Sequence, residues 1–401
     1  MKSLRTLAHS AVVIGIALGA DVAIAIGIDM AVPTRACAQA FSLEAKNETF
    51  GQVEGSKNVS QLIRSNAAHY WNYVTTAKET SGLRAYEGFR GIVAGDPHLG
   101  NFSVIPLTDS NGKRGLHEVN IDFDDAGVGA FAYDFARFVV TVKAIDKDVK
   151  IKALLDAYIS GLEGQSVAAP QIINDLLATP ISTYDRLESE YVDRKTKQGA
   201  FKLKEGELEA YSAAYSKKEI ETLFPGETVL DLASRPKERG GSAEAERIWV
   251  YTKRSDGVEK IYELKGYQST AMEKYTHQAS PDKLVPAVRS VFWQGIHDDN
   301  YQLVQLGRAK KFFWLRDKKV ALFDIPYNME KPKNKQFIAE YAPYVASKLG
   351  QAHGSQKSGQ AFLAKIRSGV LGRCEAEPRH LPRIRESDRE GLFETRNRNA
   401  R

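Results

Sequence analysis

Cysteine is nearly missing from this chain of 401 residues: Cys37 and Cys374 are the only two. Removal of the N-terminal segment would leave one, which excludes an internal disulfide. No internal repeat is present, which argues against a solenoid or propeller. No motif of the sequence-specific nucleic-acid binders occurs either, so specific nucleic-acid binding is not expected. What is present is ordinary. Apolar residues make up 43% of the chain, enough for a sizeable core. At roughly 100–200 residues per domain, the length fits two domains or one large two-lobed one. The net charge of +6 suits a phosphate-bearing ligand without requiring one.

The first forty residues differ from the rest. Lys2 and Arg5 precede the apolar run AVVIGIALGADVAIAIGI, and TRACAQAF follows with small residues at A-x-A spacing. This is the layout of a secretory signal peptide, with cleavage expected after Ala38 or Ala40. Asp21 interrupts the run and argues against a stable membrane span. Thr34 and Arg35 ahead of Cys37 are unlike a lipoprotein context. The expectation is export to the periplasm or medium, with no stable span after processing.

Downstream, hydrophobic periodicity predicts a helix over NVSQLIRSNAAHYWNYVTTAKE and short strands at RGIVAGD and HEVNIDFDD. Helices are predicted at FAYDFARFVVTVKAI and VKIKALLDAYISGLEG, and residues 170–235 read as mostly helical and highly charged. The character changes near Pro236. There RIWVYTKRSDGVEKIYELKGY alternates, turns at Asp256-Gly257 and alternates again, a hairpin pattern. YQLVQLGRAKKFFWLRDKKVALFDI continues as strands, and FIAEYAPYVASKLGQAHGS returns to helix. The arginine-rich end reads as a flexible tail. The expected class is α+β with segregated parts. The expected blocks are a signal peptide at 1–40, a helical lobe at 41–235, a strand-rich lobe at 236–330, returning helices at 331–372 and a basic tail at 373–401.

Two acidic motifs carry the chemistry. AGDPHLGNF places Asp96 and Asn101 on one loop after a strand. NIDFDDAGVGAFAYDFAR places Asp122, Asp124 and Asp125 after the next one. Phosphoryl transfer needs an acid to accept the proton of the attacking hydroxyl. It also needs an amide and a second acid to hold Mg²⁺, and a lysine for the phosphates. A hairpin would bring the two strand ends together, so Asp96, Asn101 and Asp122 could converge. Far downstream, Gly240 and Gly241 precede an apolar strand, Lys265 ends its partner, and Glu273 lies on the segment that follows.

The string GDPHLGN…IDFDDAGVGAFAYDFAR resembles the catalytic motifs of aminoglycoside phosphotransferases and choline kinases, members of the protein-kinase-like superfamily. That resemblance implies that Asp96 is the catalytic base and that Asn101 is a catalytic-loop magnesium ligand. Asp122 would be the principal magnesium ligand with Asp124 beside it, and Asp134 a buried brace of the catalytic loop. Ala94 stands where the pattern has a histidine. Gly240 and Gly241 would cover the phosphates, Lys265 would contact them, and Glu273 would hold Lys265. The full order, GDPHLGNF, the acidic motif, RGGSAEAERIWVY, ELKGY, LRDKK and ASKLGQAHGSQKSG, resembles the bacterial family termed domain of unknown function 2252. The catalytic motifs come before the glycine–lysine block, the reverse of the usual order. The helix with His353, usually just ahead of the catalytic strand, comes last.

The resemblance therefore implies a circularly permuted, two-lobed, protein-kinase-like fold with its nucleotide lobe after its catalytic lobe. The implied activity is phosphotransfer from ATP or another nucleoside triphosphate, with Mg²⁺ or Mn²⁺, to an unknown hydroxyl-bearing acceptor. Two alternatives remain at this stage. One is an exported, catalytically silent nucleotide- or ligand-binding protein on the same scaffold. The other is a metallophosphoesterase, suggested by Asp96-Pro97-His98, although no GDxxD or GNH motif follows.

Overall fold

The computed structural model describes residues 67–77, 80–236, 245–270, 272, 281–298 and 300–374. The expected signal peptide, the tail beyond 374, Gly240, Gly241 and Glu273 lie outside the described residues. The fold is α+β.

The helical part begins with α1 (Ala67–Thr76) and the single turn α2 (Ser81–Arg84). Strand β1 (Arg90–Val93) leads into the Asp96 loop, and the 3-10 turn Leu99–Asn101 leads into β2 (Phe102–Thr108). Strand β3 (Arg114–Asn120) returns antiparallel to β2, with Phe102 opposite Asn120. Strand β4 (Gly127–Ala130) pairs with β1, so the two acidic motifs are held between two small ladders. Helices α3 (Phe131–Ile145) and α4 (Ile151–Leu162) follow, then α5 (Gln171–Leu177) and α6 (Ile181–Lys195). Nearly every residue of α3 is buried, as expected for a helix apolar on all sides. Its two buried charges, Asp134 and Arg137, must therefore find partners inside the protein.

Beyond α6 the chain turns to strands sooner than its composition suggests. After β5 (Thr196–Lys197) and β6 (Ala200–Phe201), β7 (Glu209–Ala210) and β8 (Glu227–Ser234) already belong to the main sheet. Between them lies the short helix α7 (Lys217–Glu221), started by a capping box of Ser216 and Glu219. Apart from α7, the expected helical character of 170–235 thus ends near residue 195, and the sheet begins before Pro236. The physical reason is a bulge between Val229 and Asp231, which breaks the alternation that would mark β8 as a strand.

The sheet is completed by β9 (Arg247–Arg254), β10 (Glu259–Gly266), β11 (Gln302–Leu306) and β12 (Lys311–Asp317), in the antiparallel order β11-β12-β10-β9-β8-β7. Helix α8 (Pro281–Trp293) lies in the chain between β10 and β11. The last helices, α9 (Pro332–Gly354) and α10 (Gly359–Cys374), return to the helical part.

The two faces of the sheet differ in kind. Ile248, Val250, Leu264, Phe313 and Leu315 bury one face against Ile220 and Phe224 of the α7 region. The opposite face carries Arg247, Lys265 and Trp314 in one cross-strand row and Trp249, Glu263 and Arg316 in the next. In-register partners project to the same side of a sheet, so these six side chains form one polar-aromatic surface. Helix α8 ties the halves together. Its Leu284, Val285, Val288 and Trp293 pack with Ile105 and Val119 of the β2–β3 hairpin and with Trp314 of the sheet.

Candidate active site

The loop after β1 is shaped by buried side chains arriving from distant segments. Asp134 accepts hydrogen bonds from the backbone N–H groups of Ala94 (3.1 Å) and Gly95 (2.8 Å). Trp71 Nε1 donates to the Gly95 carbonyl at 2.6 Å. His353, at the end of α9, places Nε2 at 3.2 Å from Asp134 Oδ2, and its Nδ1 lies 2.7 Å from the Tyr158 hydroxyl. Its ring also stacks on Phe131. Gly95 has φ +79°, and a Cβ there would overlap the backbone carbonyl of Asp125. Glycine at this position therefore lets the Asp96 loop rest on the second acidic motif.

Asp96 is buried and bonded to Arg137, whose Nε and Nη2 lie 2.9 and 2.8 Å from Oδ1. His98 Nε2 stands 3.7 Å from Oδ2. Asn101 is buried, and its amide donates to the Asp96 carbonyl at 3.0 Å. The Asn101 carbonyl in turn accepts from the Ile121 N–H at 2.7 Å, which joins the first motif to the second.

In the second motif the aromatic residue anchors the acids. Phe123 is buried among Trp293, Tyr301 and Phe292, so Asp122 and Asp124 flank a side chain fixed in the interface between hairpin, α8 and sheet. Asp122 Oδ1 and Asp124 Oδ1 are both buried without a hydrogen-bond partner. Lys265, buried on β10, forms an ion pair with Asp124 and feels the charge of Asp122. Burial outweighs that attraction, and Arg316 and Lys318 add repulsion, so the ammonium pKa falls to about 8.

The structure thus brings Asp96, Asn101, Asp122, Asp124 and Lys265 into two joined loops and the sheet face above them. The glycines 240 and 241 and Glu273 are outside the described residues, so the holder of Lys265 among the described residues is Asp124. Sequence reasoning missed Arg137. It also missed the charges around Glu263, which is buried and bonded by Arg316 at 2.6 and 3.0 Å. Burial alone would raise the Glu263 pKa, but Arg316, Lys318 and Arg235 together hold it well below the ordinary glutamate value.

Among the described residues, no group of three or more His, Cys, Asp or Glu side chains is arranged to hold a metal. A magnesium–nucleotide site does not require one, since Mg²⁺ is usually bound by one or two carboxylates plus substrate phosphates and water. The two unpartnered carboxylate oxygens of Asp122 and Asp124 fit that demand. Also among the described residues, no helix is long and apolar enough to cross a membrane. Comparisons with family models, with curated proteins and with solved structures gave no match.

Proposed function

We propose that the chain is a Mg²⁺- or Mn²⁺-nucleotide-dependent phosphotransferase with a circularly permuted, protein-kinase-like fold, acting on a hydroxyl-bearing acceptor. The observation that carries this reading is the meeting of Lys265 with Asp122 and Asp124. Residues far apart in the chain converge at the place where such a reaction needs a cation for phosphates and carboxylates for a metal. The order of parts around Lys265 supports it. The lysine lies on the strand after the one that follows Gly240 and Gly241, and a helix comes next in the chain. The position of His353 supports the permutation, because α9 ends against the brace of the Asp96 loop.

In this reading Asp122, Asp124 and the Asn101 side chain hold the metal ion. When bound, that ion neutralises charge on the phosphates and fixes the nucleotide. Lys265 gives up Asp124 as its partner and turns its charge to phosphate oxygens. Asp96 takes the proton of the acceptor hydroxyl, and Arg137 holds its carboxylate in place through Oδ1. Phe123 keeps Asp122 and Asp124 from moving apart.

One observation favours a second reading, a nucleotide-binding protein without turnover on the same scaffold. A buried guanidinium already engages Asp96. Equilibrium binding of nucleotide to the mature chain, with and without Mg²⁺ or Mn²⁺, tests what the readings share. Phosphate release, or transfer to hydroxyl compounds, then separates them. Metal-independent binding rejects the phosphotransferase reading, and no binding rejects both. Export after cleavage near Ala38 or Ala40 belongs to the same proposal, and intact mass of the protein from its native host tests it.

A further inference from the structure

Among the described residues, three cations on the polar face of the sheet, Arg235, Arg316 and Lys318, share one carboxylate. Glu263 is the carboxylate at their centre, and its side chain is 1% exposed. Its Oε1 accepts both Arg316 bonds, and its Oε2 accepts from Trp249 Nε1 at 3.2 Å and from Arg235 Nη1 at 3.4 Å. Lys318 is left at 3.9 Å from Oε2, beyond hydrogen-bond reach. It and Arg235 instead both lie over the Trp249 ring, at 5.5 and 5.1 Å. Burial lowers the Lys318 pKa to about 8, and Arg316, Arg235 and Arg247 push against its charge.

Among the described residues, one carboxylate thus serves Arg235, Arg316 and Lys318. Asp122 offsets some of this, since its charge reaches Arg247 and Arg316. It is also the carboxylate that the proposed function assigns to a metal. The cations are not sealed away. Arg316, Lys318 and Arg235 keep 22%, 25% and 38% of their side-chain exposure. Like charges gathered this closely are stabilised by an arriving anion, and guanidinium groups match phosphate oxygens in number and spacing.

We propose that Arg316, Lys318 and Arg235 form a phosphate-oxyanion subsite on the polar face of the sheet, beside the Lys265–Asp124 pair and separate from it. It would hold a phosphate group of the second ligand, so that the acceptor is itself a phosphorylated or similarly charged molecule. The subsite does not depend on the phosphotransfer reading. Only the naming of that ligand as acceptor rests on it.

The test is titration of inorganic phosphate into the mature chain in chelator and low salt. The unaltered protein should bind one phosphate. Lys318→Met, which breaks no side-chain hydrogen bond, should weaken binding about tenfold, and Arg235→Gln by a few-fold. Asp122→Asn, which leaves all three cations in place, should bind at least as well as the parent. No binding by the parent, or equal binding by the double variant Lys318→Met/Arg235→Gln, overturns the subsite. Phosphate binding that persists under saturating Mg-ATP supports the acceptor assignment. Displacement by Mg-ATP overturns that assignment and gives the subsite to the donor's terminal phosphate. A chain that binds phosphate through Lys318 but never binds Mg-nucleotide keeps the subsite and rejects the phosphotransferase reading.

Discussion

The buried charges of the helical half and those of the sheet half are organised on opposite plans. In the helical half they are matched nearly one to one. Asp134 serves two backbone N–H groups and faces His353, and Asp96 takes Arg137. On the sheet face several cations crowd one glutamate, and where that face meets the second acidic motif two aspartate oxygens have no hydrogen-bond partner. Matched charges fix backbone shape, because removing either member strands the other in a low-dielectric interior. Unmatched charges raise the energy of the protein alone and lower that of a complex. Matched charges hold the Asp96 loop in shape, while the sheet face and the acids that meet it are left with charge to spare.

The largest effect that sharpens this contrast should come from Asp134→Ala. It strips the Ala94 and Gly95 N–H groups of their acceptor and takes the carboxylate away from His353 Nε2. A loss of about 3–5 kcal/mol in unfolding free energy is expected, read from urea denaturation. A loss below about 1 kcal/mol would show that the brace carries little, and the contrast would fail on its stronger side. Gly95→Ala should come next, at about 1–3 kcal/mol for the left-handed backbone, with the overlap on Asp125 added. Its nucleotide binding should fall as well, since the two motifs are pushed apart.

Asp122→Ala belongs to the other plan and should have the opposite profile. Its thermal midpoint should hardly move, while metal-dependent nucleotide affinity is lost. Asp96→Ala, a member of the matched set, should cost stability by stranding Arg137, while its folded form retains that affinity and loses turnover by roughly two or more orders of magnitude. An Asp122→Ala variant that unfolds as readily as Asp134→Ala would erase the distinction between the two plans.

The smallest effect concerns Glu118, the exception within the helical half. It is buried on β3, bonded by Tyr341 at 3.2 Å, with Lys348 3.8 Å away and Oε2 lacking a hydrogen bond. Burial raises its pKa above the ordinary glutamate value, and Lys348 and Tyr341 offset this only in part. Between the ordinary glutamate value and this raised one, the folded chain holds a proton that the unfolded chain has released. The stability contribution is complete at pH below the ordinary glutamate value and declines as pH rises through the window above it. Glu118→Gln should flatten that decline and gain about 1 kcal/mol at neutral pH, measured by denaturation at a series of pH values. An unchanged pH profile would mean that Lys348 neutralises Glu118 fully.

Much of this arrangement is legible in the sequence, and the unreadable parts share a cause. Strands ending in acids, the hairpin around Asp256-Gly257 and the late return to helix all follow from local periodicity and turn chemistry. The partner of Asp96 does not, although a trace of it exists. Asp134 and Arg137 are three residues apart on a helix otherwise apolar on every side, and such charges are buried and need partners. Which partners they take depends on how β1 and β4 pair with α3, which periodicity does not encode. The Glu263 cluster was hidden more deeply. Arg316 meets Glu263 only through the register of β10 with β12, and Trp249 only through that of β10 with β9. Strand β8 was obscured by its bulge.

Gln356, just after α9, uses its side-chain amide as a short strand would: its oxygen accepts from the Ile92 N–H and its nitrogen donates to the Ile92 carbonyl, both at 2.7 Å. This contact spans 264 residues, and the nearby His353–Asp134 contact is almost as long in the chain. During synthesis, the loop bearing Asp96 emerges early but must wait for nearly the whole chain before its supports arrive. At ~5–20 residues per second that delay is on the order of ten seconds or more. A nascent chain would leave the ribosome with this loop unfinished.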